Sequence, residues 1–247
     1  MSRLWVSILT LVIYGLAQFG PIFLQMAGLF NNLSGKEILF ANIYTQVILF
    51  IIAALLIILI NFFIANPTQL ELQPKEKKRY VILWAIVGYM IVMIYQVVAG
   101  MINMYVFGAP QSSPNTERLM KIAQEIPMFI ILISVVGPIL EEFVFRKVIF
   151  GELYNILKGN KTFKFLIAGI VSSIIFSAAH ADPSFFIIYF GMGFIFSALY
   201  VYTKRIWVPI LVHIMQNGFV AIVQIYFGPE KIKELQESAS FIFIFMF

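Results

Sequence analysis

The sequence contains no cysteine, two histidines and a single aspartate among 247 residues. Without cysteine there is no disulfide, no thiolate nucleophile and no Cys-ligated metal. Charge is scarce as well: Asp, Glu, Lys and Arg make up 12% of the chain, against roughly 25% in soluble domains. Apolar residues take their place, reaching 61% with a mean hydropathy of +0.93. A globule of this size has too little interior to hide that much apolar surface from water. A soluble enzyme is excluded, and so is a disordered or fibrous chain. Ionisable groups inside the apolar stretches then become functional candidates, because placing them in a membrane is costly.

Apolar runs of about 20 residues are long enough to cross a bilayer as helix. Seven occur, near 4–24, 38–65, 80–107, 127–150, 165–181, 184–203 and 206–227. The expected fold is all-α, a polytopic bundle of about seven transmembrane helices with no soluble domain. The fifth run ends in His180–Ala181–Asp182–Pro183, where the proline resists continuing the helix and forces a turn. The first run carries Arg3 as a signal peptide would. It has no small-x-small cleavage site and is followed by further spans, so an uncleaved helix is expected. Phe241 to Phe247 would rise only about 10 Å as helix, too short to span, and is expected on the membrane surface or against the bundle. Residues 1–107 read as flanking helices, 120–227 as the functional core and 228–247 as a tail.

The 17 basic residues divide unevenly. A cytoplasmic N-terminus places twelve inside: Arg3, Lys75, Lys77, Lys78, Arg79, Arg146, Lys147, Lys158, Lys161, Lys164, Lys204 and Arg205. Five fall outside: Lys36, Arg118, Lys121, Lys231 and Lys233. The positive-inside rule favours that orientation in the cell membrane. The net charge of +5 then reflects topology and attraction to anionic lipid, and calls for no nucleic-acid partner.

Three polar clusters stand in the C-terminal half. The first is Glu141–Glu142–Phe143–Val144–Phe145–Arg146, just after Gly137–Pro138. The second is Phe176 to His180, and the third is His213 to Asn217. Glu142 and Arg146, at i and i+4, share a helix face and suit an ion pair. Glu141 points about 100° away, so one carboxylate is neutralised while the other stays available for chemistry. His213 and Asn217 are also i and i+4, and Phe176 stands one turn before His180, where it can pack beside the imidazole. A carboxylate, two imidazoles and a carboxamide from three helices suit hydrolysis: the carboxylate takes a proton from water, and neutral donors stabilise the oxyanion. The bland alternatives are a structural Glu–Arg pair, a packed histidine and an interhelical Asn contact.

Depth adds a constraint. A fourth helix ending near residue 150 would leave Glu141 and His180 about 15 Å apart along the membrane normal. Continuing it to about Lys158 removes the mismatch, so a long fourth helix is expected, bent near Pro138, with Arg146 and Lys147 shielded by protein.

EExxxR, FxxxH and HxxxN, in that order on successive membrane helices, resemble the CPBP family (CAAX protease and bacteriocin-processing, or Abi) of intramembrane endopeptidases. The matching positions are Glu141, Glu142 and Arg146; Phe176 and His180; His213 and Asn217. The resemblance covers about 120–227. It implies prenyl-CAAX cleavage in eukaryotic and archaeal members. In bacterial ones it implies bacteriocin immunity or maturation of secreted peptides, quorum-sensing peptides among them. It further implies that Glu141 activates water with help from His180, that His213 and Asn217 form the oxyanion site, and that Glu142 and Arg146 hold their helix in register. A metal-dependent version, with zinc on Glu141, His180 and His213, is the less favoured alternative, because HExxH is absent and the ligands would come from separate helices.

The expected partner is a hydrophobic or membrane-associated peptide. A binding or immunity protein that sequesters a peptide is a second reading, and a small proton-relaying transporter a third. Intact motif residues favour the peptidase over the first of these. The lack of internal repeats disfavours the transporter. A di-aspartyl protease needs a second aspartate, and a rhomboid-type serine protease needs a Gly-x-Ser setting that is missing.

Overall fold

The computed structural model describes residues 1–110 and 112–238, with side chains to Phe227. The described residues form a helical bundle without strands. The helices are α1 (Arg3–Met26), α2 (Lys36–Asn61), α3 (Val81–Phe107), the short α4 (Pro114–Glu125) and a composite α5 over 129–156. They continue with α6 (Lys161–Ala179), α7 (Phe186–Thr203) and α8 (Trp207–Ser238). Six of them are long and apolar enough to cross a membrane: α1, α2, α3, α6, α7 and α8 up to Phe227. The seventh expected span is α5, whose Glu141, Glu142, Arg146 and Lys147 break the apolar run. The apolar stretch 241–247 lies outside the described residues.

α5 is continuous but not uniform. It begins as Phe129–Ile131, widens into a π-type turn at Leu132–Val136 and returns to α at Gly137–Glu142. It widens again over Phe143–Phe150 and closes as Gly151–Ile156. The extension past residue 150 is the one that the depth argument required. Such π turns recur at functional sites because they displace the ladder by one residue.

α5 occupies the centre and packs against α1, α2, α6, α7 and α8. Outward faces of α1, α2 and α3 carry exposed Leu, Ile, Val and Phe, as a lipid-facing surface requires. Where α3 meets α7, a Cβ on Gly191 would lie 1.9 Å from the Tyr95 ring. Glycine there lets the tyrosine cross the seam and donate its hydroxyl to the Ile187 carbonyl at 2.6 Å.

One end of the bundle collects the N-terminus and the long basic connection. Arg3 Nε meets Glu152 at 3.0 Å, Lys164 donates to Gln69 at 3.0 Å, and the Glu76 N–H donates to the Thr203 carbonyl at 3.0 Å. Leu70, in that connection, is buried against Phe150, Tyr154 and Tyr200. The opposite end is capped by α4, which forms a full amphipathic helix where only a turn was expected. Ser113 caps its N-terminus by accepting from the Thr116 N–H, Pro114 occupies its first turn, and Lys36 of α2 meets Glu125 at 3.1 Å.

Candidate active site

A cavity of about 670 Å³ opens among α1, α2, α3, α4, α5, α6, α7 and α8. Tyr14 and Gln18 line it from α1, Gln96 from α3, Ile133 and Glu141 from α5, Tyr189 from α7, and Gln216 and Asn217 from α8. His180, capping the C-terminus of α6, completes the wall. These positions fall in the halves of their helices nearer α4, so the cavity belongs to the α4 end of the bundle.

The sequence motifs meet here in two layers. Glu141, His180 and Asn217 are on the wall. Glu142, Arg146, Phe176 and His213 are fully or almost fully buried behind it. His213 joins the layers: its Nδ1 is 2.9 Å from Glu142 Oε1 and its Nε2 3.8 Å from Glu141 Oε2. The i, i+4 spacing of His213 and Asn217 therefore aims both at α5, though at different atoms.

Glu142 carries the structural charge. Arg146 Nε stands 3.0 Å from Glu142 Oε2, an ion pair with no exposure on either side chain and no aligned hydrogen bond. Its two terminal nitrogens have no hydrogen-bond partner and lie among phenyl rings. The guanidinium carbon is 4.2 Å from the Phe176 centroid, 5.1 Å from Phe196 and 5.9 Å from Phe145. Ring faces are electron-rich and attract a desolvated cation, so the aromatic cage replaces the missing donors' partners. Glu141 differs. Its side chain is 23% exposed, and Oε2 has no hydrogen-bond partner. Gly137, one turn earlier, leaves room for that carboxylate: a Cβ there would be 3.7 Å from Glu141 Oε1.

Phe176 is the common rest of the site. Beyond Arg146, its ring meets His180 edge-on at 4.6 Å and His213 at 5.9 Å. His180 Nδ1 is 2.8 Å from the Phe176 carbonyl, so in the neutral ring Nδ1 carries the hydrogen and Nε2 is the free acceptor.

Asn217 is placed by a defect in α5. In the π-type turn, Gly137 N–H reaches back five residues to the Leu132 carbonyl. The next such donor would be Pro138, which has no N–H. The Ile133 carbonyl is left over, and Asn217 Nδ2 donates to it at 2.9 Å. A carboxamide has two hydrogens on that nitrogen, so one remains for a ligand.

A metal was tested against the donors present. Among the described residues, no group of three or more His, Asp or Glu converges as ligands would, and both Nδ1 atoms are engaged by Phe176 and Glu142. The expected trio Glu141, His180 and His213 does not form a ligand set in this geometry, and no step below runs through a metal. Sequence reasoning missed Tyr14, Gln96, Ser113 and Tyr189. The cap signature Ser113–Pro114 and the lone Asp182 were the available signals for the α4 contacts.

Fold and site define a multi-pass membrane protein with a carboxylate–imidazole centre enclosed in its helices. Comparison with known proteins makes this specific. The family model described as type II CAAX prenyl endopeptidase Rce1-like matches residues 123–219. The chain is 53% identical over 243 residues to the membrane-embedded CAAX protease MroQ of Staphylococcus aureus (strain USA300), covering 98% of both chains. It is 40% identical over 229 residues to the putative membrane peptidase YdiL of Bacillus subtilis (strain 168), covering 91% of this chain and 90% of that one. No solved structure matches it. The chain belongs to the Rce1-like CAAX protease family of membrane proteases.

Proposed function

We propose that this protein is an endopeptidase that hydrolyses a peptide bond of a membrane-associated peptide, using water activated by Glu141. The observation that carries the reading is the Glu141 carboxylate. It stands on the wall of an enclosed cavity with an oxygen free of hydrogen bonds, while its neighbour Glu142 is held by Arg146 and His213. Glu141 takes a proton from water, and the hydroxide attacks the carbonyl carbon. His180, accepting through Nε2, orients that water. The oxyanion is met by the free amide hydrogen of Asn217, backed by His213, whose ring is favoured as imidazolium between two carboxylates. Collapse breaks the C–N bond, and Glu141 returns its proton to the leaving amine. The mechanism requires no cofactor.

The proposed substrate is a secreted signalling or bacteriocin-like peptide undergoing maturation. With the N-terminus cytoplasmic, as the basic residues favour, the α4 end faces outward and the cavity opens there.

The test uses purified wild type and Glu141→Ala in lipid nanodiscs with a pool of synthetic hydrophobic peptides, read by mass spectrometry. Cleavage by wild type alone supports the reading. Equal products from both remove Glu141 from catalysis, and no products from either favour the peptide-binding alternative.

A further inference from the structure

Asp182, the chain's lone aspartate, is buried two residues beyond His180. α6 ends at Ala179, and Ala181 adopts a left-handed φ of 51°. That conformation is unfavourable for alanine and turns the chain so that Asp182 meets the start of α4. There Ser113 Oγ donates to Asp182 Oδ2 at 2.6 Å. The same oxygen accepts the Thr116 N–H at 3.2 Å and lies 3.1 Å from the Tyr189 hydroxyl. A serine hydroxyl has one hydrogen and two acceptor positions. Its hydrogen goes to the carboxylate in the short, charge-assisted bond, so Tyr189 must be the donor. The chain runs one way, from Tyr189 to Ser113 to Asp182.

Its open end rests on the site. The Tyr189 ring is stacked on His180 with centroids 4.0 Å apart and planes 23° apart. Phe176 closes another side edge-on, and the Phe176 carbonyl holds Nδ1. Together these contacts fix the ring and leave Nε2 as the free nitrogen.

We propose that Asp182, Ser113 and Tyr189 are positioning residues that hold the His180 imidazole in its working orientation and tie it to the seating of α4 over the cavity. The inference rests on the reading of His180 as a participant in hydrolysis. α4 contributes Ser113, Asn115, Thr116, Arg118, Leu119 and Met120 to the cavity wall. The hydroxyl that caps α4 is therefore the same group that orders the histidine's stacking partner.

The experiment compares wild type, Ser113→Ala, Ser113→Thr, Tyr189→Phe and the Ser113→Ala/Tyr189→Phe double variant in nanodiscs. The probe is the pool peptide that wild type cuts fastest. Ser113→Ala and Tyr189→Phe break one hydrogen bond from its two ends. Each is expected to lower kcat about tenfold with KM within about twofold. The double variant should be no worse than either single one, and Ser113→Thr should restore the rate. A second readout needs no activity: the rate at which diethyl pyrocarbonate modifies His180, His213 being buried. That rate should rise several-fold in both single variants. Unchanged kcat, additive losses or unchanged modification rates overturn the inference. If wild type cuts no peptide, the proposed function falls, and the modification rates still decide the positioning chain. If Ser113→Ala does not fold, Tyr189→Phe, which keeps the ring and the cap, decides alone.

Discussion

Asn217 donates its amide hydrogen to the carbonyl of Ile133 at 2.9 Å, a carbonyl that Pro138 leaves without a backbone donor. A proline usually read as a helix breaker thus creates the docking point for a side chain on another helix. It also restrains the interhelical interpretation of Asn217: the contact is real, yet it spends one of two amide hydrogens and aims the other.

Replacing Pro138 by alanine supplies an N–H that competes for the Ile133 carbonyl. Helix continuity should persist, while kcat falls about tenfold as Asn217 loses its anchor. Asn217→Ala, which deletes the oxyanion donor, should cost about 100-fold. Steady-state kinetics on the pool peptide, with thermal unfolding alongside, check both. A Pro138→Ala enzyme with wild-type kcat would show that Asn217 needs no such anchor.

The two glutamates should respond in opposite ways. Arg146→Ala strands the buried Glu142 carboxylate, a loss of about 3–5 kcal/mol in stability visible in thermal unfolding. Glu141→Gln touches a half-accessible side chain with an unpartnered oxygen, so it should leave the unfolding temperature near wild type and abolish cleavage. A large destabilisation by Glu141→Gln would mark Glu141 as structural.

Chelation should leave the rate of the purified enzyme unchanged, since no three-ligand group converges on the cavity. The assay is cleavage before and after exhaustive dialysis against a strong chelator. Loss of activity with recovery on adding zinc would replace the glutamate–water mechanism with a metal-dependent one.

Orientation can be read directly because the chain has no native cysteine. Arg118 on α4 and Lys78 in the basic connection are both exposed and lie toward opposite ends. In intact cells a membrane-impermeant maleimide should label Arg118→Cys at once and Lys78→Cys only after lysis. The reverse pattern places the cavity mouth on the cytoplasmic side.

Much of this was legible from spacing alone. Apolar runs located the spans, and i, i+4 pairing put Arg146 on Glu142, as found. The adjacency of Phe176 and His180 also held. What spacing could not supply is the identity of a partner across the bundle. His213 and Asn217 share a face, yet nothing local says that one meets a carboxylate and the other a vacant carbonyl. The π-type turns were hidden for a related reason: they depend on where neighbouring helices accept displaced carbonyls. The Asp182–Ser113–Tyr189 contacts join positions 69 and 76 residues apart, beyond any local pattern.

Each π-type turn of α5 also has a bearing on how this chain can change length. A turn of that kind holds one residue more than an α turn, so removing a single residue between 132 and 136 would restore a regular ladder. Everything C-terminal would then rotate by about 100°, carrying Glu141 off the cavity and Glu142 out of reach of His213. Substitutions along this helix can be absorbed one at a time, whereas a one-residue deletion dismantles the whole site. Its length should therefore be among the most constrained properties of the protein, and a deletion scan across 129–156 would reveal that as a continuous gap in viable variants.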